Sequence, residues 1–412
     1  MSHAHDHCNH LPGEACDGDH GHPAPVRLVP PPLSLYVHLP WCVRKCPYCD
    51  FNSHEFRGGG ALPFAAYVDA LVADLEHDLP LAWGRTVHSV FFGGGTPSLF
   101  PADAIDAFLQ QASARLRFAP DAEITLETNP GTAEHGRFAD YRRAGVTRIS
   151  FGIQSFDDGC LQRLGRIHDS AQAESAVKLA QDGGFDNLNL DLMYALPGQD
   201  LAMALHDVER AIALQPAHLS HYQLTLEPNT VFAARPPQGI PDDDHAWDMQ
   251  EACQARMAEA GFAQYEVSAY ARPGRQCAHN LNYWRFGDYL GVGAGAHGKL
   301  TLGAGQRILR RWKVKHPTEY LARAGSAAAI GGDEDIDIER RPFDFMLNAL
   351  RLNAGFGLDL FESRTGLPRS SIAPELTEAT ARGWLEVNGE QVVPTELGRR
   401  FTNDVIGLFL RD

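Results

Sequence analysis

The sequence predicts an α/β protein: a partial (β/α)6 barrel of the TIM type, followed by a smaller α+β, winged-helix-like extension. Three observations predict it. Six short apolar runs alternate with five helical periodicities between residues 33 and 226. Polar or glycine residues follow several of these runs, as expected at a barrel mouth, where ligands bind at the C-terminal strand ends. Beyond about residue 230 the alternation stops, and the chain ends in two helices, a hairpin and a further helix.

The elements read in order as follows. Leu33–Leu39 (LSLYVHL) is the first strand, and residues 64–78 carry a helical pattern. Strand 87–92 precedes helix 102–116, strand 123–127 precedes helix 133–144, and strand 147–151 precedes helix 171–183. Strand 187–193, helix 201–214 and strand 218–226 complete the series. Strands alternating with helices imply right-handed βαβ units and a parallel sheet.

This divides the chain into four parts: a tail over 1–32, a barrel core over 33–265, a connecting region over 266–340 and a C-terminal domain over 341–412. The tail holds six of the 19 histidines, Cys8, Cys16 and several prolines, and too few apolar residues to pack. It is expected to be disordered, and it is either a metal- or haem-capturing arm or a dispensable tail. In the C-terminal domain, nine acidic and six basic residues follow from Gly355 onward, which argues against DNA binding there.

Composition sets further bounds. A chain of 412 residues with 44% hydrophobic and 21% charged residues is ordinary for a globular protein. No apolar run is long enough to span a membrane, and none near the start resembles a signal peptide, so a cytoplasmic protein that is not an integral membrane protein is expected. The formal net charge of −16, with no lysine- or arginine-rich run standing out, argues against nucleic acid as a partner.

Eight cysteines in a chain expected to be cytoplasmic point to metal rather than to a disulfide framework. Cys42, Cys46 and Cys49 stand in the spacing C-x3-C-x2-C. Three thiolates on one short loop can hold three irons of a cubane cluster and leave the fourth iron open to a small molecule. From the loop alone, zinc completed by His54, or no metal, stays possible.

The strand ends narrow the choice. Gly93-Gly-Gly-Thr-Pro97 follows the second strand and lets the backbone approach a ligand closely. Glu127-Thr-Asn-Pro130 follows the third, Gly152-Ile-Gln154-Ser155 the fourth, and Asp191 lies on the fifth. Arg166 lies in Arg163-Leu-Gly-Arg-Ile-His168, between the fourth and fifth strands. Two other runs carry less. Asp242-Asp-Asp244 reads as a helix N-terminus stabilised by acidic residues. Gly291–Gly298 is a glycine-rich turn without the βαβ context of a dinucleotide loop.

These residues together resemble the radical S-adenosylmethionine (SAM) superfamily over roughly residues 33–265, in the branch of the oxygen-independent coproporphyrinogen III oxidases and the HemW-type haem chaperones. The resemblance implies a 4Fe–4S cluster on Cys42, Cys46 and Cys49, with S-adenosylmethionine on its open iron. It places Tyr36 and Tyr48 against that cofactor, and Gly94, Gly95 and Thr96 at its amino-acid end. Glu127, Gln154, Arg166 and Asp191 line the same pocket. The oxidase carries a further cysteine two residues after the third; here that position is Phe51, and the oxidase's longer N-terminal substrate arm is missing too.

A second run, Cys277-Ala-His279-Asn280-Leu-Asn-Tyr283-Trp284, matches the H-N-x-x-Y-W pattern that the chaperone branch associates with haem. Imidazole and thiolate are both axial ligands to haem iron, and flat aromatics pack on the macrocycle. The other reading of the run is a capped turn with two core aromatics. The resemblance therefore implies a protein that binds haem and delivers it to haem-requiring apoproteins, membrane-bound respiratory enzymes among them. In that role it would be cytoplasmic or peripheral to the membrane. Decarboxylation of coproporphyrinogen III is the alternative function, and a zinc scaffold a third.

Overall fold

The structure is a computed structural model that describes residues 26–56, 62–132 and 137–411. Six strands pair in parallel and in chain order: β1 (Leu33–Leu39), β2 (Thr86–Gly94), β3 (Arg117–Thr128), β4 (Arg148–Gln154), β5 (Leu188–Tyr194) and β6 (His218–Gln223). They are joined through α1 (Phe64–Ala82), α2 (Ala102–Ser113), α3 (Arg137–Arg143), α4 (Asp158–Arg163), α5 (Ser170–Asp182) and α6 (Leu201–Ala213). The six βα units are those the sequence predicts; only the short α4 is additional.

Period-two alternation gives each strand two faces. On β1, Leu33, Leu35, Val37 and Leu39 are buried in the main apolar core. Ser34, Tyr36 and His38 take the opposite face and bond to polar neighbours. The connecting helices supply matching stripes: on α2, Ile105, Phe108, Leu109 and Ala112 are buried at helical spacing. Caps start these helices where expected. Asp169 and Gln172 form a capping box on α5, and Asp200 accepts from Met203 N on α6. After the four-residue α7 (Val231–Ala234), Asp242 caps α8 (Asp243–Glu259), which accounts for the acidic run.

The sheet continues at both edges. Antiparallel β7 (Ala263–Glu266) and β8 (Ala269–Ala271) extend it beyond β6. After α9 (Ala278–Trp284), β9 (Asp288–Val292) lies parallel to β1. Antiparallel β10 (His297–Leu302), β11 (Arg307–Lys313) and β12 (Ile330–Asp335) follow. The full order is β12-β11-β10-β9-β1-β2-β3-β4-β5-β6-β8-β7. The region expected to be a connection is thus largely sheet. The Gly291–Gly298 run is not one turn: its ends lie in β9 and β10. A Cβ on Gly291 would come within 2.1 Å of the His297 carbonyl oxygen, so the hairpin requires glycine there.

Strand β11 also corrects the charge reading. Residues 307–315 carry Arg307, Arg310, Arg311, Lys313 and Lys315, a basic run hidden by alternation. The first four are paired with Asp335, Asp344, Asp78 and Asp333, and Asp74 and Asp78. Lys313 is buried between Asp74 and Asp78 of α1, and Tyr320 donates to Asp74 at 2.7 Å. This network fastens α1 to the added strands.

The C-terminal residues form a second core. Helices Arg341–Ala349, Leu358–Thr365 and Ala373–Ala381, the hairpin Leu385–Asn388 with Gln391–Pro394, and helices Glu396–Arg400 and Thr402–Gly407 enclose Phe345, Phe361, Ile372 and Phe409. Leu28 belongs to this core, and its N–H donates to Gln306 Oε1 at 2.8 Å. Leu28 and Pro31, assigned above to the tail, are therefore buried, and Leu28 finds its apolar site far along the chain. Residues 1–25, the rest of the tail reading, lie outside the described residues. No described helix is long and apolar enough to cross a membrane.

Removing Lys313 would leave the buried Asp74 carboxylate without its cation and Asp78 with Arg311 alone. Lys313→Ala is expected to cost about 3–5 kcal/mol in denaturant unfolding, and Arg307→Ala, whose pair is exposed, less than about 1 kcal/mol.

Candidate functional site

The cysteine loop runs from the end of β1 and is held from several sides. Trp41–Cys42 pairs with His54–Glu55, and Phe56 N donates to Cys42 O. Gly95 N donates to Leu39 O and Thr96 N to Trp41 O, both at 2.8 Å, so the loop is bound to the glycine turn after β2. Asn52 Nδ2 donates to the carbonyls of Ala294 and Lys315, each at 2.9 Å. Lys45 donates to the Phe51 and Ser53 carbonyls.

Two glycines make this closeness possible. Gly94 has φ +115°, in the region that favours glycine, and a Cβ there would meet the His38 ring at 2.5 Å. A Cβ on Gly95 would come equally close, 2.5 Å, to the Trp41 carbonyl oxygen.

Beside the loop lies a cavity of about 150 Å3. It gathers Cys42, Cys46, Cys49, Tyr48, Gly94, Gly95, Thr96, Glu127, Gln154, Arg166 and Asp191, eleven of the twelve cluster and cofactor residues singled out from the sequence. The twelfth, Tyr36, faces a larger neighbouring cavity, stacks on Phe91 and donates or accepts at His38 Nδ1, 2.9 Å away. Ser150, Asn129 and Tyr222 also line the smaller cavity and were missed. Ser150 and Tyr222 lie on the polar faces of β4 and β6, so strand periodicity was the signal that could have found them.

The electrostatics divide this cavity into two ends. Glu127 is pushed up to about 8 by burial and by the nearby Asp191 charge, offset by a hydrogen bond from Gly94 N. Burial raises Asp191 as well. Two carboxyls that cannot comfortably ionise together favour a cationic guest. Arg166 is half-buried; it donates to the Gly152 carbonyl at 2.5 Å, reaches Cys46 Sγ and Tyr48 OH at 3.5 Å, and has an unpartnered Nε. Thr128 Oγ1 is likewise buried without a partner. Gln154 holds a left-handed backbone (φ 72°), strain of the kind that collects at binding sites, and accepts from Tyr222 OH at 2.9 Å.

The thiols are free. Burial raises Cys42 and Cys49, and the neighbouring cysteines add to it by mutual repulsion. Bound iron would reverse that balance, since ligation requires thiolate and releases the proton. A single zinc ion fits less well. The His54 ring, which would complete the zinc site, is already held by Asn52 Oδ1 and the Lys315 carbonyl.

The larger cavity, about 910 Å3, shares Cys49, Phe51, Ser53, Gly94 and Glu127 with the smaller one. His279, Asn280, Tyr283 and Trp284 of α9 line it, with Tyr36, Phe91 and Tyr289. The helix is anchored at its start: Ala278 N and His279 N donate to Glu123 Oε1 at 2.9 and 3.4 Å. His279 Nδ1 lies 3.2 Å from Ser89 Oγ, and its ring packs on Phe91 at 5.0 Å. Burial pushes His279 down to about 3, so the imidazole is neutral. Trp284 lies under Arg351 and has a buried, unpartnered Nε1. Cys277 is different. It is fully buried beside Glu123, outside the cavity, and burial pushes its thiol up to about 12. It therefore adds no ligand to the run.

Comparisons with known proteins give the family. Residues 36–211 match the profile of the radical SAM superfamily, and 336–401 that of the HemN C-terminal domain. The haem chaperone HemW of Escherichia coli is 50% identical over 382 residues, covering 93% of this chain and 99% of that protein. This chain belongs to the HemW family of the radical SAM superfamily. The HemW of Bacillus subtilis is 31% identical over 92% of this chain and 99% of its own length. Among solved structures, the coproporphyrinogen III oxidase HemN of Escherichia coli superposes with a TM-score of 0.78, covering 92% of this chain and 90% of that one. At 23% identity that match shows the shared fold. Membership of a radical SAM family brings a 4Fe–4S cluster and S-adenosylmethionine as cofactors, and the smaller cavity has the donor set for both.

Glu127 also makes stability depend on pH. Its folded pKa of about 8 lies above the ordinary 4.5, so the unfolded chain gives up the proton first and stability falls as pH rises through that window. In cofactor-free protein, Glu127→Gln is expected to flatten the fall between about pH 5 and 8, read from urea midpoints.

Proposed function

We propose that this chain binds haem in the larger cavity and passes it to haem-requiring apoproteins, with a 4Fe–4S cluster and S-adenosylmethionine held next door. One observation carries the reading: His279, from a run the sequence marks for haem, presents a neutral imidazole to a cavity that shares walls with the three cysteines. The names of the relatives, haem chaperones over nearly the whole chain, support it. Clients include membrane-bound respiratory enzymes, reached from the cytoplasm or from the membrane surface.

Each residue then has a task. Cys42, Cys46 and Cys49 hold three irons as thiolates. Glu127 and Asp191 offer negative charge to the ammonium and sulfonium of S-adenosylmethionine. Arg166 holds its place near the cluster, Gly94, Gly95 and Thr96 give backbone approach to its amino-acid end, and Tyr48 and Gln154 close the sides. When bound, the cluster and S-adenosylmethionine supply one-electron chemistry. In the larger cavity Ser89 orients His279, leaving Nε2 for iron, an outer partner fixing the ligand's ring. Tyr36, Phe91, Tyr283 and Trp284 give flat apolar surface to the macrocycle, and Asn280 adds a polar edge.

Phe51 separates this reading from porphyrinogen decarboxylation. It is 63% exposed and lies on the shared wall, where the resembling oxidase has a cysteine. Protoporphyrinogen formed by anaerobic, reconstituted protein with S-adenosylmethionine would overturn the choice.

Two sets of measurements test the site assignments. Cys42→Ala, Cys46→Ala or Cys49→Ala should each remove most iron and sulfide from anaerobically purified protein, while Glu127→Gln keeps them and binds S-adenosylmethionine about 10- to 100-fold more weakly. Haem titration should give a Soret shift in the wild type and at least about a tenfold weaker one in His279→Ala. An unchanged titration would remove His279 from the site.

A further inference from the structure

Four histidines line the larger cavity: His38, His54, His279 and His297. They differ in what their ring nitrogens already do. His38 has both in use, Nδ1 with Tyr36 OH and Nε2 with the Asn52 carbonyl, each at 2.9 Å. His54 is held by Asn52 Oδ1 at 3.1 Å and by the Lys315 carbonyl. His279 has Nδ1 on Ser89, and among the described residues its Nε2 has no partner. His297, at the start of β10, makes no side-chain hydrogen bond among the described residues; its ring stacks on Trp312 at 6.1 Å and is exposed to the cavity.

We infer that His297 is a second imidazole ligand for the haem iron, supplied by the β9–β10 hairpin while His279 comes from α9. The inference rests on the haem-binding reading above. Three further observations support it. Stacking on Trp312 fixes the ring plane without using a nitrogen. The hairpin cannot shift freely, because Asn52 binds Ala294 O at its turn and Lys315 O beyond β11. Lys45 and Lys315 line the same cavity and bring positive charge suited to two haem propionates in a chain of net charge −16.

The two imidazoles are not equivalent. His279 is half-buried and oriented by Ser89, whereas His297 is exposed and oriented only by a ring. The exposed ligand is the one a client's side chain can replace first, by ordinary ligand exchange at iron with no change in oxidation state.

The test uses cluster-loaded protein with ferric haem, read by electron paramagnetic resonance and by the visible spectrum. Wild type should give a six-coordinate, low-spin signal. His297→Ala and the bulkier His297→Gln should still bind haem but lose the low-spin signal for a high-spin one, and added imidazole should restore it in His297→Ala. His54→Ala, whose ring is already committed, should leave the signal unchanged. A high-spin wild type that binds haem, or low-spin signals unaltered in both His297 variants, would overturn the His297 assignment and leave the haem reading intact. No haem binding by the wild type would overturn both.

Discussion

A polar face turned into the middle of a sheet has to be satisfied there, and much of this molecule follows from that requirement. The inner faces of β1 to β6 carry Ser34, Ser89, Glu123, Ser150, Asn189, Asp191 and His218 where an ordinary core would have aliphatic groups. Ser34 bonds Ser89, Asn189 bonds Ser150 and Asp191, and His218 bridges Asn189 and Tyr265. Buried polar groups left single would cost on the order of 1–3 kcal/mol each, so these pairings decide how neighbouring strands and loops settle. The anchoring of α9 on Glu123 and of His279 on Ser89 are two more settlements of the same demand. Thr128 Oγ1 and Arg166 Nε remain unpartnered at the open end of the sheet, beside the raised carboxyls of Glu127 and Asp191, where a guest can complete them.

Two sites then arise from one floor. The small cavity and the large one share Cys49, Phe51, Ser53, Gly94 and Glu127, so a ligand in either meets residues that form the wall of the other. Any charge placed near Glu127 is felt on both sides, because burial leaves little solvent to screen it.

The barrel was legible because it is built of local signals. Six apolar runs and five amphipathic stretches identify βα units without knowledge of their partners, and the cysteine spacing, the Gly93–Pro97 turn and the strand-end polar residues fall together once those units close on one another. The region between residues 266 and 340 was not legible, for physical reasons. Strand β9 is five residues long and contains Gly291, and β11 alternates Arg and Lys with apolar residues whose charges only the aspartates of α1, β12 and Arg341–Ala349 neutralise. Such a strand looks like a surface run until its distant partners are known. Cys277 shows the converse: two residues before His279 in sequence, it is directed by the turn into α9 toward Glu123 and away from the cavity.

Asn52 gives the assembly a mechanical property. One amide, two residues beyond Asp50 in the cysteine loop, holds the carbonyls of both Ala294 and Lys315, while its own carbonyl receives His38 and its side-chain oxygen His54. Four tethers meet at a single side chain and its backbone. The loop and the β9–β10 hairpin are therefore pinned together at Asn52, a direct link between the cysteines and the far wall that does not run through the helices.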